Sequence, residues 1–324
     1  MTDNIYDLLI IGAGPAGLAA SIYSSRYRLS NLVIGKLLGG ELSLAHKIEN
    51  YPGFLDISGF DLAQIWQKQV ENLGAKVLLK EVGRLELTGE GENKSFKAYF
   101  SKNEYYQAKA LIIATGSERR RLNIPGEEEY LGKGVSYCHT CDAPFFKEKT
   151  VVIIGGSDSA VSGAVHTAEF AKKVYLVYRK DKLRAEPAWI NQWQQIEKQA
   201  KGETIYNTNV KEIIGDKTRI TGVKLDKPYK GQEIISTDGV FIEIGGVPGT
   251  ALVEPLGIKL DERGYVIVSE QMETNIPGLF SAGDMTNKSA SFKQATWAIA
   301  QGAMAAASAY KYLKNTTAPA IRGI

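Results

Sequence analysis

Cys138 and Cys141 are the only cysteines among the 324 residues, and they form a single C-x-x-C motif. A structural disulfide closing so short a loop would constrain little of the unfolded chain. A zinc site needs four ligands, and the chain offers only three histidines, His46, His139 and His166. The motif therefore favours thiol–disulfide redox chemistry over a structural disulfide or half of a zinc site.

An internal repeat reveals the elements that must position these thiols. One segment, 8–20, reads LLIIGAGPAGLAA, and a second, 151–164, reads VVIIGGSDSAVSGA. Each is an apolar strand, a glycine turn and the start of a small-residue helix, which is how a dinucleotide-binding unit opens. We expect helices at about 16–27 and 158–172, each followed by a strand. The repeat predicts two dinucleotide-binding domains.

The repeat also suggests how the domains are arranged along the chain. A late segment, 278–284, reads GLFSAGD and is followed by an alanine-rich helix expected at 294–313. We predict an α/β fold of two doubly wound, Rossmann-like, three-layer ββα domains, the second inserted in the first. The outer domain would comprise 1–117 and 248–324, and the inserted domain 118–247. Hinges are expected near 117–121 and 245–248.

Composition limits the classes of function. A chain of this length has room for two domains with cores, and its 44% hydrophobic and 23% charged residues fit a globular enzyme. A net charge of +3 is too small to predict a nucleic-acid-binding face. The N-terminal residues lack a basic n-region, and no apolar run approaches the ~20 residues of a membrane helix. We expect a cytoplasmic enzyme with neither a membrane nor a nucleic-acid partner.

The first glycine turn, GAGPAG at 12–17, matches G-x-G-x-x-G between a strand and a helix. Gly12 permits the tight turn, Gly14 lets the backbone approach a pyrophosphate, and Gly17 lets the helix pack on the strand. The N-terminus of the helix favours the anion. Gly35 and Lys36, after the next strand, include no acid to bind an adenosine ribose, which departs from the fingerprint.

With these motifs in order, the chain resembles the low-molecular-weight thioredoxin reductases along nearly its whole length. The resemblance implies a flavoprotein disulfide reductase with FAD in the outer domain and a nicotinamide nucleotide in the inserted one. It also implies a homodimer and a thioredoxin-like dithiol protein as partner. The matching landmarks are GAGPAG at Gly12, GGEL at Gly39, IENYPGF at Ile48, ATG at Ala114, CHTCDAP at Cys138, GGSDSA at Gly155, YRKDKLRAEP at Tyr178, IGGVPGT at Ile244 and GLFSAGD at Gly278.

The resemblance further implies which residues surround the flavin. Gly283 and Asp284 are expected to hold the ribityl chain and phosphate, with an ordinary strand-end turn as the alternative. Lys293 stands where the family usually has arginine. The full set expected to bind FAD is Gly12, Gly14, Pro15, Ala16, Gly17, Gly40, Glu41, Leu42, Asn50, Val82, Ala114, Gly116, Gly283, Asp284, Lys293, Gln294 and Ala295.

In the redox motif, the resemblance assigns Cys141 to the flavin side and Cys138 to attack on the disulfide of the partner protein. Asp142 matches the family's proton-relaying acid, and a helix N-cap is the alternative. His139 replaces a residue that is more often small in the family. We expect it to face solvent in a loop, with a role as an imidazolium that favours a neighbouring thiolate as the alternative.

The segment YRKDKLR at 178–184 bears on the electron donor. An acid at its start would bind the 2′-hydroxyl of NAD, whereas cationic side chains neutralise the 2′-phosphate of NADP. Its first three residues include no acid, so the sequence predicts NADPH. Tyr178 in place of histidine and Ser157 in place of glycine leave NADH or ferredoxin open, and a solvated loop is the alternative for the basic run. The set expected to bind NADPH is Gly155, Gly156, Ser157, Asp158, Ser159, Arg179, Lys180 and Arg184.

These expectations combine into an NADPH-dependent thioredoxin-disulfide reductase that uses FAD and the Cys138–Cys141 pair. A small-molecule dithiol oxidase would use the same thiol chemistry and remains an alternative. A flavin-binding redox sensor or a zinc-binding module without turnover is the alternative outside the enzymes.

Overall fold

Residues 5–45, 47–89, 94–289 and 292–318 are described by the computed structural model. They divide into two units. The first unit runs to Glu118 and resumes at Val247, and the second comprises Arg119–Gly246.

A seven-stranded sheet forms the centre of the first unit. Its strands are β1 (Tyr6–Ile11), β2 (Asn31–Gly35), β3 (Lys76–Leu79), β4 (Arg84–Thr88), β5 (Ser95–Tyr99), β6 (Tyr105–Ile113) and β17 (Leu279–Ser281). The order is β3-β2-β1-β6-β5-β4, and β17 also pairs with β6. Strands β3, β2, β1, β6 and β17 are parallel, whereas β4, β5 and β6 pair antiparallel.

The parallel part of this sheet is buried on both faces. Leu8, Leu9 and Ile10 of β1 have no exposed surface, which explains why the strand reads as a continuous apolar run. The helices of the unit are α1 (Pro15–Arg26), α2 (Gly59–Asn72) and α6 (Ala295–Lys314), with 3₁₀ turns at Gly40–Leu44, Glu254–Leu256 and Asn287–Ser289.

The second unit contains a parallel sheet and an antiparallel sheet. Its strands are β8 (Val135–Ser136), β9 (Thr150–Ile154), β10 (Lys173–Val177), β11 (Gly202–Ile205), β12 (Val210–Gly215), β13 (Ile220–Tyr229), β14 (Gln232–Ser236) and β15 (Gly239–Ile242). The parallel sheet has the order β11-β10-β9-β15-β8, and the antiparallel sheet has the order β12-β13-β14. Its helices are α3 (His139–Asp142), α4 (Asp158–Phe170) and α5 (Pro187–Lys198), with a 3₁₀ turn at Ala143–Phe146.

Alternating side chains of β9 join two cores in this unit. Val151 and Ile153 pack with the helices α4 and α5. Val152 and Ile154 pack on the opposite face, with the three-stranded antiparallel sheet. Successive side chains of a strand point to opposite faces of its sheet. Strand β9 therefore packs against the helices on one face and against the antiparallel sheet on the other, which gives three layers. The predicted α/β fold class, with Rossmann-like doubly wound units, is confirmed.

The chain crosses between the units twice, at β7 (Ser117–Arg119) and β16 (Gly246–Pro248), and these two strands pair with each other. The helices expected at 158–172 and 294–313 occur at Asp158–Phe170 and Ala295–Lys314, so their ends differ by up to two residues. Within the described ranges, no helix is long and apolar enough to cross a membrane.

Candidate active site

Two glycines of the first turn are required by the packing of the protein backbone, independently of any ligand. Gly12 has a φ of +119°, and a Cβ on it would lie 2.1 Å from the carbonyl oxygen of Ala114. A Cβ on Gly17 would lie 1.8 Å from the carbonyl oxygen of Gly12. Neither position can accept a side chain without moving backbone, so both glycines serve the packing of β1, β6 and α1.

Gly14 differs from these two glycines. It precedes the first turn of α1, and the nearest atom of the described chain to an added Cβ is the Gly39 carbonyl oxygen at 3.8 Å. The fold therefore leaves space beside this backbone at the N-terminus of a helix, where phosphates bind well. The amide of Gly39 donates to the carbonyl of Ala13 across 2.7 Å, which brings the GGEL segment to the same turn. This cradle fits the pyrophosphate of a dinucleotide such as FAD.

The Gly283–Asp284 turn lies against the same helix. A Cβ on Gly283 would be 3.1 Å from the Cβ of Ala16, and its φ is +84°. Burial raises the pKa of Asp284, and the charge of Lys293 partly offsets this effect. A partly buried acid at a helix-lined turn suits hydrogen bonding to ligand hydroxyls.

Sequence reasoning missed two residues of α6 that support this turn. Gln301 is buried, and its Oε1 accepts a 2.8 Å hydrogen bond from the amide of Gly283. A Cβ on Gly302 would lie 2.0 Å from the carbonyl oxygen of Ala16, so this glycine lets α6 approach α1. The sequence feature that could have indicated them is a glutamine followed by a glycine within an alanine-rich helix.

The structure also brings distant members of the expected flavin set together. The amide of Asn50 donates to Oε1 of Gln294 across 3.2 Å, and Nζ of Lys293 lies 3.1 Å from Oγ of Ser117. Leu42 and Val82 pack against the core of this unit, whereas Glu41 is exposed. Pro15 and Ala295 are the first residues of α1 and α6, and Gly116 has a φ of +70°. The remaining members of the set are the turn residues themselves.

In the second unit, Cys138 and Cys141 form a disulfide with 5.4 Å between their Cα atoms. Cys138 is the N-cap of α3, and its sulfur accepts a 3.2 Å hydrogen bond from the amide of Cys141. An N–H donor aimed at a sulfur favours its thiolate form once the disulfide opens. Cys141 is the more exposed of the two residues, although the resemblance assigns Cys138, not Cys141, to the attack on the partner protein.

Asp142 ends α3, and its amide donates to the carbonyl of Cys138 across 3.1 Å. It also occupies the N-cap position of the 3₁₀ turn Ala143–Phe146, but its side chain makes no capping hydrogen bond there. The carboxylate is therefore not used as a helix cap in that turn, which leaves it available for proton transfer.

The expectation that His139 faces solvent is wrong. Only 13% of its side chain is exposed, and Nδ1 lies 2.8 Å from Oε1 of Glu243. The ring occupies space that Gly163 leaves open, because a Cβ on Gly163 would be 2.9 Å from that nitrogen. Glu243 was missed by sequence reasoning. Its signal was an acid directly after the apolar strand β15.

The second glycine turn joins β9 to α4. Gly155 has a φ of +148°, and a Cβ on it would lie 2.1 Å from the Glu243 carbonyl oxygen. Ser157 is the N-cap of α4 without a side-chain capping bond. Asp158 accepts a 2.6 Å hydrogen bond from the amide of Glu186, and the hydroxyl of Ser159 donates to Glu243. The side chains of Asp158 and Ser159 thus have protein partners of their own.

Tyr178 and Arg184 pack around this turn. A Cβ on Gly156 would lie 2.5 Å from the ring of Tyr178. Arg184 donates from its amide to the Gly156 carbonyl across 2.7 Å and from Nε to the Tyr178 hydroxyl across 2.9 Å. Arg179 and Lys180 follow β10 and are exposed. The arrangement holds a cationic side chain beside a glycine turn, which fits an anionic nucleotide.

In the part of the chain that the structure describes, no three His, Cys, Asp or Glu side chains are grouped to hold a metal ion.

The family model for pyridine nucleotide-disulphide oxidoreductases matches residues 6–302. The thioredoxin reductase of Listeria innocua serovar 6a is 41% identical over 315 residues, which cover 97% of this chain and 95% of that protein. The chain belongs to the thioredoxin reductases of this family. Membership implies a bound flavin and the use of a pyridine nucleotide.

Solved thioredoxin reductase structures are similar to this one. The Lactococcus lactis thioredoxin reductase has a TM-score of 0.87 and 37% identity, covering 96% of this chain and 100% of that chain. The ferredoxin-flavin thioredoxin reductase of Clostridium acetobutylicum has a TM-score of 0.50 and 34% identity, covering 96% and 99%. The second of these similar proteins is named for ferredoxin, whereas the first is named only as a thioredoxin reductase.

Proposed function

We propose that this chain is an NADPH-dependent thioredoxin-disulfide reductase that acts through FAD and the Cys138–Cys141 disulfide. The observation that carries the proposal is the disulfide at the first turn of α3, with the Cys141 amide donating to the Cys138 sulfur. That donor would stabilise a thiolate at Cys138, and a thiolate is the form that attacks another disulfide.

The first unit is the proposed FAD-binding domain. The open space beside Gly14 at the N-terminus of α1 supports a pyrophosphate site there, and Asp284 supports a site for ligand hydroxyls. Asn50 and Gln294, joined by a hydrogen bond, would present amide groups to the ring system. Bound FAD would supply two-electron chemistry, accepting a hydride from the nucleotide and passing the electron pair to the disulfide.

The second unit is the proposed NADPH-binding domain. Arg179, Lys180 and Arg184 follow β10, where the ribose 2′ position lies in a dinucleotide fold, and their charges suit a 2′-phosphate. The hydroxyl of Tyr178 accepts from Nε of Arg184, so the tyrosine that replaces histidine orients this cation.

Ferredoxin is the second candidate donor. Ser157 adds a side chain at the glycine turn, and the chain is 34% identical to a ferredoxin-flavin thioredoxin reductase. A serine there narrows the approach of a pyrophosphate to the backbone.

The proposed partner is a thioredoxin-like dithiol protein. Cys138 would attack its disulfide, Cys141 would resolve the mixed disulfide, and Asp142 would relay protons to and from the pair. The resemblance to the family also supports a homodimer and a cytoplasmic location.

An anaerobic visible spectrum of the purified protein, titrated with NADPH, NADH and reduced ferredoxin in turn, tests the donor. Bleaching by NADPH at the lowest concentration, followed by turnover of thioredoxin, is the expected result. Bleaching only by ferredoxin would select the second candidate. Oxygen consumption with small dithiols and no turnover of thioredoxin would instead identify a dithiol oxidase.

A further inference from the structure

Glu243 is a buried acid that the reaction described above does not use. It follows β15, and only 7% of its side chain is exposed. One carboxylate oxygen lies 2.8 Å from Nδ1 of His139, the other accepts from the hydroxyl of Ser159, and Nη1 of Arg119 lies 4.0 Å away. A buried carboxylate is costly unless it is paired, so these partners hold it in place.

The contact with Glu243 determines which ring nitrogen of His139 donates a hydrogen bond. Because a carboxylate only accepts hydrogen bonds, Nδ1 donates the proton in this pair, and Nε2 is the ring nitrogen left free of this contact. His139 is the first residue of α3, directly after Cys138 and two residues before Cys141. The hydrogen bond between His139 and Glu243 therefore connects the turn that carries both cysteines to the residue that follows β15.

We propose that Glu243 is a positioning residue for the redox pair, acting through His139 to stabilise the thiolate that forms when the Cys138–Cys141 disulfide is reduced. Reduction adds two electrons, supplied by the reduced flavin of the proposed function, and breaks the S–S bond. One sulfur takes a proton and the other leaves as a thiolate. A proton on Nε2 of His139 would place a cation on the residue directly after Cys138, and the Glu243 carboxylate would stabilise this cation.

Other titratable or charged groups near the ring, among the described residues, include His166 and Arg119. His166 of α4 has its ring centroid 6.1 Å from that of His139, and Arg119 approaches through Glu243. Asp142 lies on α3 itself. Glu243 is the carboxylate in direct contact with the imidazole, so its removal should change the electrostatic environment of His139 most directly.

The test compares Glu243→Gln, His139→Ala and the double variant with the wild-type protein. Glutamine keeps the shape of Glu243 and an acceptor for Nδ1 but removes the charge, so the fold should persist. Each pre-reduced protein is alkylated with iodoacetamide over a range of pH, and the modified peptides are counted by mass. The dithiol–disulfide equilibrium of each is measured in glutathione buffers.

We expect each single variant to lower the alkylation rate at neutral pH about tenfold and to move the pH midpoint of alkylation upward. The reduced form should be disfavoured about tenfold, which corresponds to a midpoint potential about 30 mV more negative. The double variant should shift no further than His139→Ala alone, because Glu243 acts through His139.

Glu203→Gln is the matched control. Burial would raise the pKa of Glu203, but hydrogen bonds from Lys230, Tyr229 and Lys173 lower it to about 2, so this acid is also strongly paired within the second unit. Its replacement should change neither the alkylation profile nor the potential, because Glu203 contacts no residue of the redox motif.

The inference rests on the proposed redox role of the cysteine pair, but its readouts do not depend on turnover. Unchanged alkylation and potential in Glu243→Gln would overturn it, as would a full further shift in the double variant. Full reductase activity in Cys138→Ser would instead overturn the proposed function itself.

Discussion

The side-chain amide of Asn50 donates a 3.2 Å hydrogen bond to Oε1 of Gln294, although 244 residues separate the two in sequence. Asn50 lies in the IENYPGF segment, and Gln294 is the N-cap of α6. The family resemblance implied that both residues border the flavin. Their contact joins the two chain segments of the first unit at one edge of the candidate flavin site.

Gly14→Val should abolish flavin binding while leaving the first unit folded. The added side chain would occupy the space in which a pyrophosphate approaches the backbone, and the nearest described atom to its Cβ is 3.8 Å away. The ratio of flavin absorbance to protein absorbance and the thermal unfolding curve measure the two effects separately.

Gly17→Val is the matched control for this change. A Cβ there would lie 1.8 Å from the Gly12 carbonyl oxygen, so the variant should lose stability as well as flavin. A yellow, fully loaded Gly14→Val protein would contradict the assignment of the first glycine turn to FAD.

Asp284→Asn should stabilise the flavin-free protein at neutral pH and weaken flavin binding. Burial raises the folded-state pKa of Asp284, against which Lys293 acts, so the charged carboxylate opposes folding at pH values above that raised pKa. The gain should be present at pH 7 and vanish below the ordinary pKa of about 3.9, where the carboxyl is protonated in both states. Urea unfolding of the flavin-free protein at the two pH values measures it.

A loss of stability in Asp284→Asn at pH 7 would show that the carboxylate is favourably bound within the protein itself. Unchanged flavin affinity would remove Asp284 from the binding site, since a neutral amide accepts ligand hydroxyls less strongly than a carboxylate.

Arg179→Ala combined with Arg184→Ala should raise the KM for NADPH much more than the KM for NADH. Each lost charge-assisted contact with a 2′-phosphate should cost roughly 1.5–3 kcal/mol. Lys182→Ala, an exposed cation of the same segment outside the expected site, should leave both KM values near those of the wild type. Equal increases for both nucleotides would show that the cluster does not bind the 2′-phosphate.

The two cysteines should separate in a trapping experiment. Cys141→Ser should form a stable mixed disulfide with a thioredoxin whose second active-site cysteine is serine and whose first is activated as a disulfide with thionitrobenzoate. Cys138 attacks this disulfide, thionitrobenzoate leaves, and nothing resolves the product. The hydrogen bond from the residue 141 amide to the Cys138 sulfur, which serine at 141 retains, supports this thiolate. Gel mobility without reductant detects the adduct.

Cys138→Ser should form little of this adduct, and both single variants should lose multiple turnover because a dithiol cannot be regenerated from one sulfur. Trapping by Cys138→Ser instead would reverse the roles, in keeping with the greater exposure of Cys141.

The sequence by itself determined the glycine turns, the redox motif and the α/β class. These features are visible in the sequence because each is carried by residues close together in the chain, such as the GAGPAG turn at 12–17 and the three-residue spacing of Cys138 and Cys141. The apolar runs at 8–11 and 151–154 likewise predicted strands, which occur as β1 and β9 with their apolar residues buried and their neighbours paired in parallel. Which turn binds FAD and which binds NADPH stays a prediction.

Only the tertiary structure decided the environment of His139 and the support of the Gly283 turn by Gln301. The histidine lies inside because Gly163 leaves room for its ring and Glu243, more than a hundred positions away, supplies a partner. No local pattern encodes such a pairing. It depends on which strand ends beside which helix, and packing of the whole unit fixes that geometry.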